Sequence, residues 1–464
     1  MKNHVEQTVY SFLKKEIKIK NTPILLGLSG GPDSTALFYV LLKLQRWISF
    51  SFHIAHIDHL WRKESTQEAQ ELSILAKKYK IPFHLKTLKN QNTKGNREAL
   101  CREERLIFFS QICKTYHCQA LLLAHHANDQ AETVLKRTFE GASLPQLSGI
   151  KKKNIVHGIT IWRPLLSVSK KDLTDWLEKH HLSAFQDHSN FDPTYLRGKM
   201  RTRLIPQLSK TFGKQIQQSL CKIGEEAYEL KDFLDNRIHM HLSSIKNTIM
   251  GAFLDFTSLP PLHSIELKHL LRKLCSMNTL SLNREVLHKL QTLLLQNAAN
   301  RHIITDTNLL FIDRKKIFIT SKHIPVYSHP SIVLTPGTHY LGIWEICVTL
   351  ANSKQRLATT SWEQLWHGKI QVSVPKDNYS LISPKANSLY PGNSSICRWW
   401  NKHRVPAFLR YYPPLLKKNH KIYHEFLTGK SCISQDRQKE QNYLNISLTR
   451  KKKKSSPFTS LKKK

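Results

Sequence analysis

The stretch Leu28-Ser29-Gly30-Gly31-Pro32-Asp33-Ser34-Thr35 limits the fold more than any other part of the chain. The apolar run Ile24-Leu25-Leu26-Gly27-Leu28 leads into it and reads as a buried strand. Ala36-Leu37-Phe38-Tyr39-Val40-Leu41-Leu42 follows and reads as a helix packed on a sheet. The two glycines therefore sit on a strand-to-helix turn, where they remove the Cβ atoms that would hold a phosphate away from backbone N–H groups. Pro32 and Asp33 suit a first helical turn, and Ser34 and Thr35 add hydroxyl donors. A helix N-terminus, with free N–H groups and the positive end of the dipole, attracts anions. A bare Gly-Gly turn with an Asp cap would need no ligand. Here the strand, the serines on both sides and Asp33 agree on a phosphate loop. It is not a Walker A loop, because no Gly-Lys-Ser/Thr follows at that spacing.

The alternation continues. Residues 49–57 and 81–85 read as strands, 64–78 and 96–113 as helices, and Ala120-Leu121-Leu122-Leu123-Ala124 as a further buried strand. Strands alternating with helices predict an α/β domain with a doubly wound, mostly parallel sheet. In such sheets ligands bind at the C-terminal strand ends. That rule makes Asp58, His59 and Arg62 site candidates, and likewise the segment His125-His126-Ala127-Asn128-Asp129-Gln130-Ala131-Glu132-Thr133. His53, His56 and His59 do not suit one metal ion, because spacings of three alternate faces on a strand. Asn128 or Asp129 reads as an N-cap, with Glu132 completing a capping box. A cap alone does not need two histidines beside it. Histidine can position or protonate phosphate oxygens, and carboxylates can hold Mg²⁺. The charged face of 96–113 has an ordinary account in solvated i,i+4 pairs.

The loop resembles the Ser-Gly-Gly-x-Asp-Ser loop of the PP-loop ATP pyrophosphatases, enzymes of adenine nucleotide α-hydrolase-like fold. With Asp58-His59…Arg62 and His-His-x-x-Asp-Gln-x-Glu-Thr the resemblance narrows to the tRNA(Ile)-lysidine synthetase family. Arg163-Pro164-Leu165-Leu166, the stretch Asp187-His188-Ser189-Asn190…Tyr195-Leu196-Arg197-Gly198-Lys199-Met200-Arg201, and Arg102 with Arg105 match further family segments in order. Departures are Gln186 for Glu, Gly198 for Asn, Cys101 for Ala and Asn128 for Asp. The resemblance implies ligation of L-lysine to C2 of the wobble cytidine in a CAU-anticodon tRNA(Ile), through an adenylated cytidine. ATP and Mg²⁺ are the implied cofactors. Ser29, Gly30, Gly31, Pro32, Asp33, Ser34, Asp58, His59, Arg62 and Arg163 are expected at ATP. Asp33 and Asp129 are expected at the metal, and Asp33, Asp129, Glu132 and His125 in the chemistry. Arg102, Arg105, Arg197, Arg201, Arg404 and Arg410 are expected at tRNA.

Charge agrees with a polyanionic partner. The 464-residue chain carries 71 Lys+Arg against 34 Asp+Glu, a formal net charge of +37. No apolar run approaches a membrane span and no signal peptide is seen, so the expected location is cytoplasmic, away from membranes. The eight cysteines are scattered without a CxxC pair, which argues against a disulfide scaffold, a zinc ribbon or an iron–sulfur site. It also disfavours a PP-loop tRNA thiolase; an amidotransferase would need a glutaminase domain, and none is evident. A tRNA-binding protein without catalysis is the remaining rival. Homodimerisation is left open.

The expected domains are 1–212, catalytic; 213–325, a linker helix with a mainly helical tRNA-binding region; 326–435, a small α+β tRNA-binding domain; and 436–464, a basic disordered tail. Within them, 204–241 reads as one long helix and 262–296 as leucine-rich helix. Residues 309–313 and 316–320 read as a hairpin whose Arg314-Lys315 turn lacks the usual Gly. The run from Trp399 to Leu416 resembles the family's C-terminal segment, and suits either RNA contact or an aromatic core with a basic rim.

Overall fold

The computed structural model describes residues 3–19, 22–60, 64–88, 97–185, 196–322, 331–353, 361–384, 395–431 and 442–450. The expectations for Arg62, Gln186, the segment 187–195 and Cys432 lie outside these residues, as does most of the tail expected to be disordered over 436–464. Its residues Tyr443–Arg450 instead form a β-strand held between two antiparallel neighbours in a four-stranded sheet, where the alternate apolar side chains Leu444, Ile446 and Leu448 are buried. The chain forms two compact units, Met1–Phe233 and Leu234–Lys464.

The first unit runs α1 (His4–Glu16), β1 (Ile24–Gly27), α2 (Pro32–Leu44), β2 (Phe52–Asp58), α3 (Ser65–Lys78), β3 (Phe83–Thr87), α4 (Arg97–Thr115), β4 (Ala120–Leu122), α5 (Ala127–Phe139), β5 (Lys153–Val156), β6 (Ile159–Trp162), α6 (Lys170–Lys179), α7 (Leu196–Lys199) and α8 (Ile205–Phe212). Its six-stranded sheet has the order β3-β2-β1-β4-β6-β5, parallel except for β5 at the edge. Both faces are covered, so β1 and β4 are apolar throughout. Leu26, Leu122 and Phe38 pack with α1, α2 and α6 on one face, while Leu25, Leu121 and Phe109 pack with α4 on the other.

The strand order decides where a ligand fits. From β1 the chain winds outward to β2 and β3, then returns to place β4 on the other side of β1. The switch point lies between β1 and β4, whose registers align Ile24 with Ala120 and Leu26 with Leu122. The loops that follow these two strands therefore open on one crevice.

Two readings are corrected here. The span 204–241 is not one helix: Gly213, at φ +62°, ends α8 in the left-handed region, and α9 (Ile216–Leu242) starts afresh. The N-cap of α5 is His126, not Asn128 or Asp129. The His126 Nδ1 accepts from the Asn128 N–H, and Asp129, not Glu132, closes the capping box on the His126 N–H at 3.0 Å.

The second unit starts with a five-stranded antiparallel sheet that includes β7 (Lys246–Thr248), β8 (Gly251–Asp255), β9 (Arg301–Ile304), β10 (Asn308–Asp313) and β11 (Lys316–Ser321). One face packs on α10 (Ser264–Met277) and α11 (Arg284–Leu295). The other, through Phe253, Phe311 and Phe318, joins the core of the strand-rich region that follows, including Trp344, Trp366 and Trp400. Two four-stranded sheets make up that region. The expected hairpin forms, with Arg314 and Lys315 at φ 47° and 63°. Asp313 offsets the missing glycine: its carboxylate accepts from Arg314 at 3.0 Å and from the Asn300 N–H at 3.1 Å.

Candidate active site

The phosphate loop is held open by its own side chains. Ser34 Oγ donates to the Gly31 carbonyl at 3.1 Å and accepts from the Ser29 N–H at 3.2 Å. The two serine hydroxyls lie 2.9 Å apart, and Thr35 Oγ1 donates to the Gly30 carbonyl at 3.0 Å. Gly30, at φ +86°, has no room for a Cβ: it would meet the Phe185 ring at 2.4 Å. Gly31 is the N-cap of α2 and has no side-chain cap, so the first turn of α2 keeps its N–H groups for a ligand.

Asp33 stands on that first turn and meets both neighbouring loops. Lys170 Nζ donates to its Oδ1 at 2.6 Å, and His126 Nε2 lies 3.5 Å from its Oδ2. Burial alone would raise the Asp33 pKa, but His126 and then Lys170 outweigh it and hold the carboxyl below its ordinary range. Because His126 Nδ1 is an acceptor, its proton sits on Nε2, toward the carboxylates. Asp129 Oδ2 lies 3.6 Å from the same Nε2. Asp33 and Asp129 are thus gathered at one imidazole nitrogen.

Arg201 closes the other side. It lies in a π-helical turn, Met200–Leu204, a distortion that often marks functional positions. Its Nε and Nη2 donate to Glu132 at 2.7 and 3.1 Å, and Nη2 also reaches Asp129 at 3.3 Å. Glu132 is 2% exposed and committed to this pair. Beyond Asp129, Arg163 Nε donates to His125 Nδ1 at 3.3 Å, with Nη1 on the Lys151 carbonyl and the Asn154 side chain. Burial lowers the His125 pKa to about 4; Asp129 opposes the shift, and Arg163, Arg105 and Arg102 add to it. Burial thus favours the neutral imidazole, whose Nδ1 accepts from Arg163. Burial and Arg102 likewise bring Arg163 down to about 10.

The structure thus brings together Ser29, Gly30, Gly31, Pro32, Asp33, Ser34, His125, Asp129, Glu132, Arg163 and Arg201. Arg102 and Arg105 act on this cluster through their field. Arg201 sits within this cluster, its side chain paired with Glu132 and Asp129 and partly exposed. Asp58 is committed elsewhere: it accepts from the Leu60 N–H at 2.9 Å, Ser65 at 2.7 Å and Thr66 at 3.0 Å, and so ties β2 to the start of α3. Half-buried His59 feels burial first, then Arg105. Arg197 and Arg404 are exposed. Arg410 is buried and donates twice to the Val405 carbonyl, which makes it a structural residue. Trp400, Phe408 and Tyr412 lie in the core, while Arg398, Lys402 and Arg404 form an exposed rim. Sequence reasoning missed Lys170 and the role of His126. The available signal was the Ser169-x-x-Asp172 capping box, which marks a helix N-terminus just beyond Arg163-Pro164-Leu165-Leu166.

None of the cysteines among the described residues forms a disulfide, and none joins a cluster of three His, Cys, Asp or Glu side chains able to hold a metal. No helix among them is long and apolar enough to cross a membrane.

The family model described as "PP-loop domain" matches residues 1–208. The tRNA(Ile)-lysidine synthase of Protochlamydia amoebophila is 35% identical over 450 residues, 97% of either chain. The chain belongs to the tRNA(Ile)-lysidine synthase family. Shorter matches are to the tRNA(Ile)-lysidine synthases of Chlamydia muridarum, 38% identical over 51% of this chain and 73% of that one, and Chlamydia pneumoniae, 41% over 47% and 68%. In this lysidine synthase relative, the segments that follow β1 and β4 carry Asp33 and Asp129 to one crevice, and the π-helical turn brings Arg201 to the same place.

Proposed function

We propose that the chain joins L-lysine to C2 of the wobble cytidine in a CAU-anticodon tRNA(Ile), using ATP and releasing AMP and pyrophosphate. The observation that carries this reading is the likeness to a named tRNA(Ile)-lysidine synthase over 97% of both chains. The geometry suits it. The cytidine O2 attacks the α-phosphorus of ATP and pyrophosphate leaves; an amine of lysine then attacks C2 and AMP leaves. Both steps need positioned reactants and neutralised phosphate charge more than covalent help from the protein.

Ser29, Ser34 and the open N–H groups of α2 bind the phosphates. The donor set fits Mg²⁺, which takes one or two carboxylates together with phosphate oxygens: Asp33 and Asp129 would hold it, at 3.5 and 3.6 Å from one His126 nitrogen. The ion would supply charge neutralisation on the phosphates. His126 orients both carboxylates through Nε2–H. Glu132, engaged by Arg201, positions that guanidinium at the rim instead of acting on lysine. Arg163 and neutral His125 extend the donor wall, with the Arg102 and Arg105 field adding to its pull on an anion. The exposed rim Arg398, Lys402 and Arg404 is assigned to tRNA.

The test is a mass-resolved nucleoside assay with purified protein, ATP, Mg²⁺, L-lysine and a CAU-anticodon tRNA(Ile) transcript, with tRNA(Met) as control. A lysine-sized gain on cytidine in the first alone, lost in Asp33→Ala, is expected. A gain seen only with a sulfur donor would move the protein to the thiolases. No product of either kind would leave tRNA binding alone.

A further inference from the structure

Helix α6 carries a cation where its own backbone disfavours one. Lys170 and Lys171 are its first two residues, facing the positive end of the helix dipole. The main chain at Lys170 is fixed: Ser169 caps the helix with Asp172, and the Lys170 N–H donates to Asn128 Oδ1 at 3.0 Å. From that fixed root the ammonium reaches Asp33 Oδ1 at 2.6 Å. The pair is not sealed in the core, since the two side chains are 33% and 27% exposed.

Asp33 is also the meeting point of three helix N-termini: α2 at Gly31, α5 at His126 and α6 at Ser169. Three positive helix ends, an ammonium and an imidazole N–H thus face Asp33, with Asp129 on the same imidazole nitrogen and Arg201 beside it. A field built of so many positive ends suits a triphosphate.

We propose that Lys170 contacts substrate. When the triphosphate occupies the Ser29–Ser34 loop, the Lys170 ammonium leaves Asp33 for a β- or γ-phosphate oxygen and neutralises the departing pyrophosphate. In the adenylation step the cytidine O2–Pα bond forms and the bond from Pα to the bridging oxygen breaks. The electron pair stays on pyrophosphate, whose added charge Lys170 meets. A compact ammonium on a flexible stem can make this exchange without moving the backbone. The proposal rests on reading the loop as the triphosphate site.

The experiment compares binding of Mg·ATP, inorganic pyrophosphate and AMP to the full-length wild type, Lys170→Met and Lys170→Arg, with melting temperatures for each. Loss of one charge-assisted contact is expected to weaken ATP and pyrophosphate about tenfold or more in Lys170→Met. AMP affinity should stay unchanged, and Lys170→Arg should recover most of the pyrophosphate affinity. Wild-type pyrophosphate binding in Lys170→Met overturns the proposal. So does an equal loss of AMP, which would mean that Lys170 merely holds Asp33. If the methionine variant fails to fold, Lys170→Gln carries the same comparison. Wild-type protein that binds neither ATP nor pyrophosphate overturns the triphosphate reading itself, and does so without any variant.

Discussion

Replacing Arg201 by Met should destabilise the first unit, and a second substitution should rescue it. Glu132 is 2% exposed and its carboxylate receives two Arg201 bonds, at 2.7 and 3.1 Å. Removing the cation leaves a buried carboxylate without its counter-charge, a change worth about 3–5 kcal/mol. The Arg201 side chain is 31% exposed, so water reaches the pair from one side and favours the lower end, about 3 kcal/mol. The double variant Arg201→Met/Glu132→Gln removes both charges and should lose only about 1 kcal/mol. For a unit of this size each kcal/mol moves the melting temperature by about 2–4 °C. The single variant should therefore melt about 6–12 °C lower and the double should recover about two-thirds of that drop. Calorimetry on the full chain, with hydrogen exchange of the α5 amides to locate the loss, measures both. A single variant that melts like wild type, or a double that melts below the single, refutes the argument. Because Arg201 also reaches Asp129, the rescued double should stay inactive.

Gly30→Ala forces a side chain into φ +86° and against Phe185 at 2.4 Å, so about 2–3 kcal/mol of stability should be lost, together with ATP binding; intact ATP affinity would count against the loop's role. Asp33→Asn should lower turnover by about a hundredfold or more while the fold persists, checked by nucleoside mass and circular dichroism side by side. Burial keeps His125 near about 4 and His424 near about 3 in the fold, against about 6.5 when unfolded. Between those values the unfolded chain binds protons that the fold excludes. Stability should fall as pH drops from about 6.5 and level off below the folded values. His424→Gln should flatten the melting temperature against pH in that window, and an unchanged slope would contradict it. Arg404→Ala should leave the melting temperature alone and reduce the salt dependence of tRNA binding by about one phosphate contact, whereas Arg410→Met should do the reverse.

The first unit was largely legible because its signals are local. A strand and a helix joined by two glycines, and polar residues crowding the exit of Ala120–Leu122, are patterns that backbone sterics and burial impose within a dozen residues. The hairpin at 308–321 could be read for the same reason, although its turn relies on Asp313 and Asn300 in place of a glycine. The break at Gly213 and the cap at His126 were open to misreading. Gly213 needed its left-handed φ to be known, and several polar residues in a row offer competing caps.

By itself, then, the sequence determined the phosphate loop, the parallel sheet, the family and the need for a polyanionic partner. Tertiary structure alone decided which charges meet. The strand order that sets β6 beside β4 brings Lys170, at the start of α6 and 137 residues from Asp33, to 2.6 Å from it, and the π-turn delivers Arg201 to Glu132. It also withdrew Asp58 into a helix start and Arg410 into the core. Composition and spacing report what each residue offers. Which partner takes up the offer depends on strand order and burial, which are properties of the whole fold.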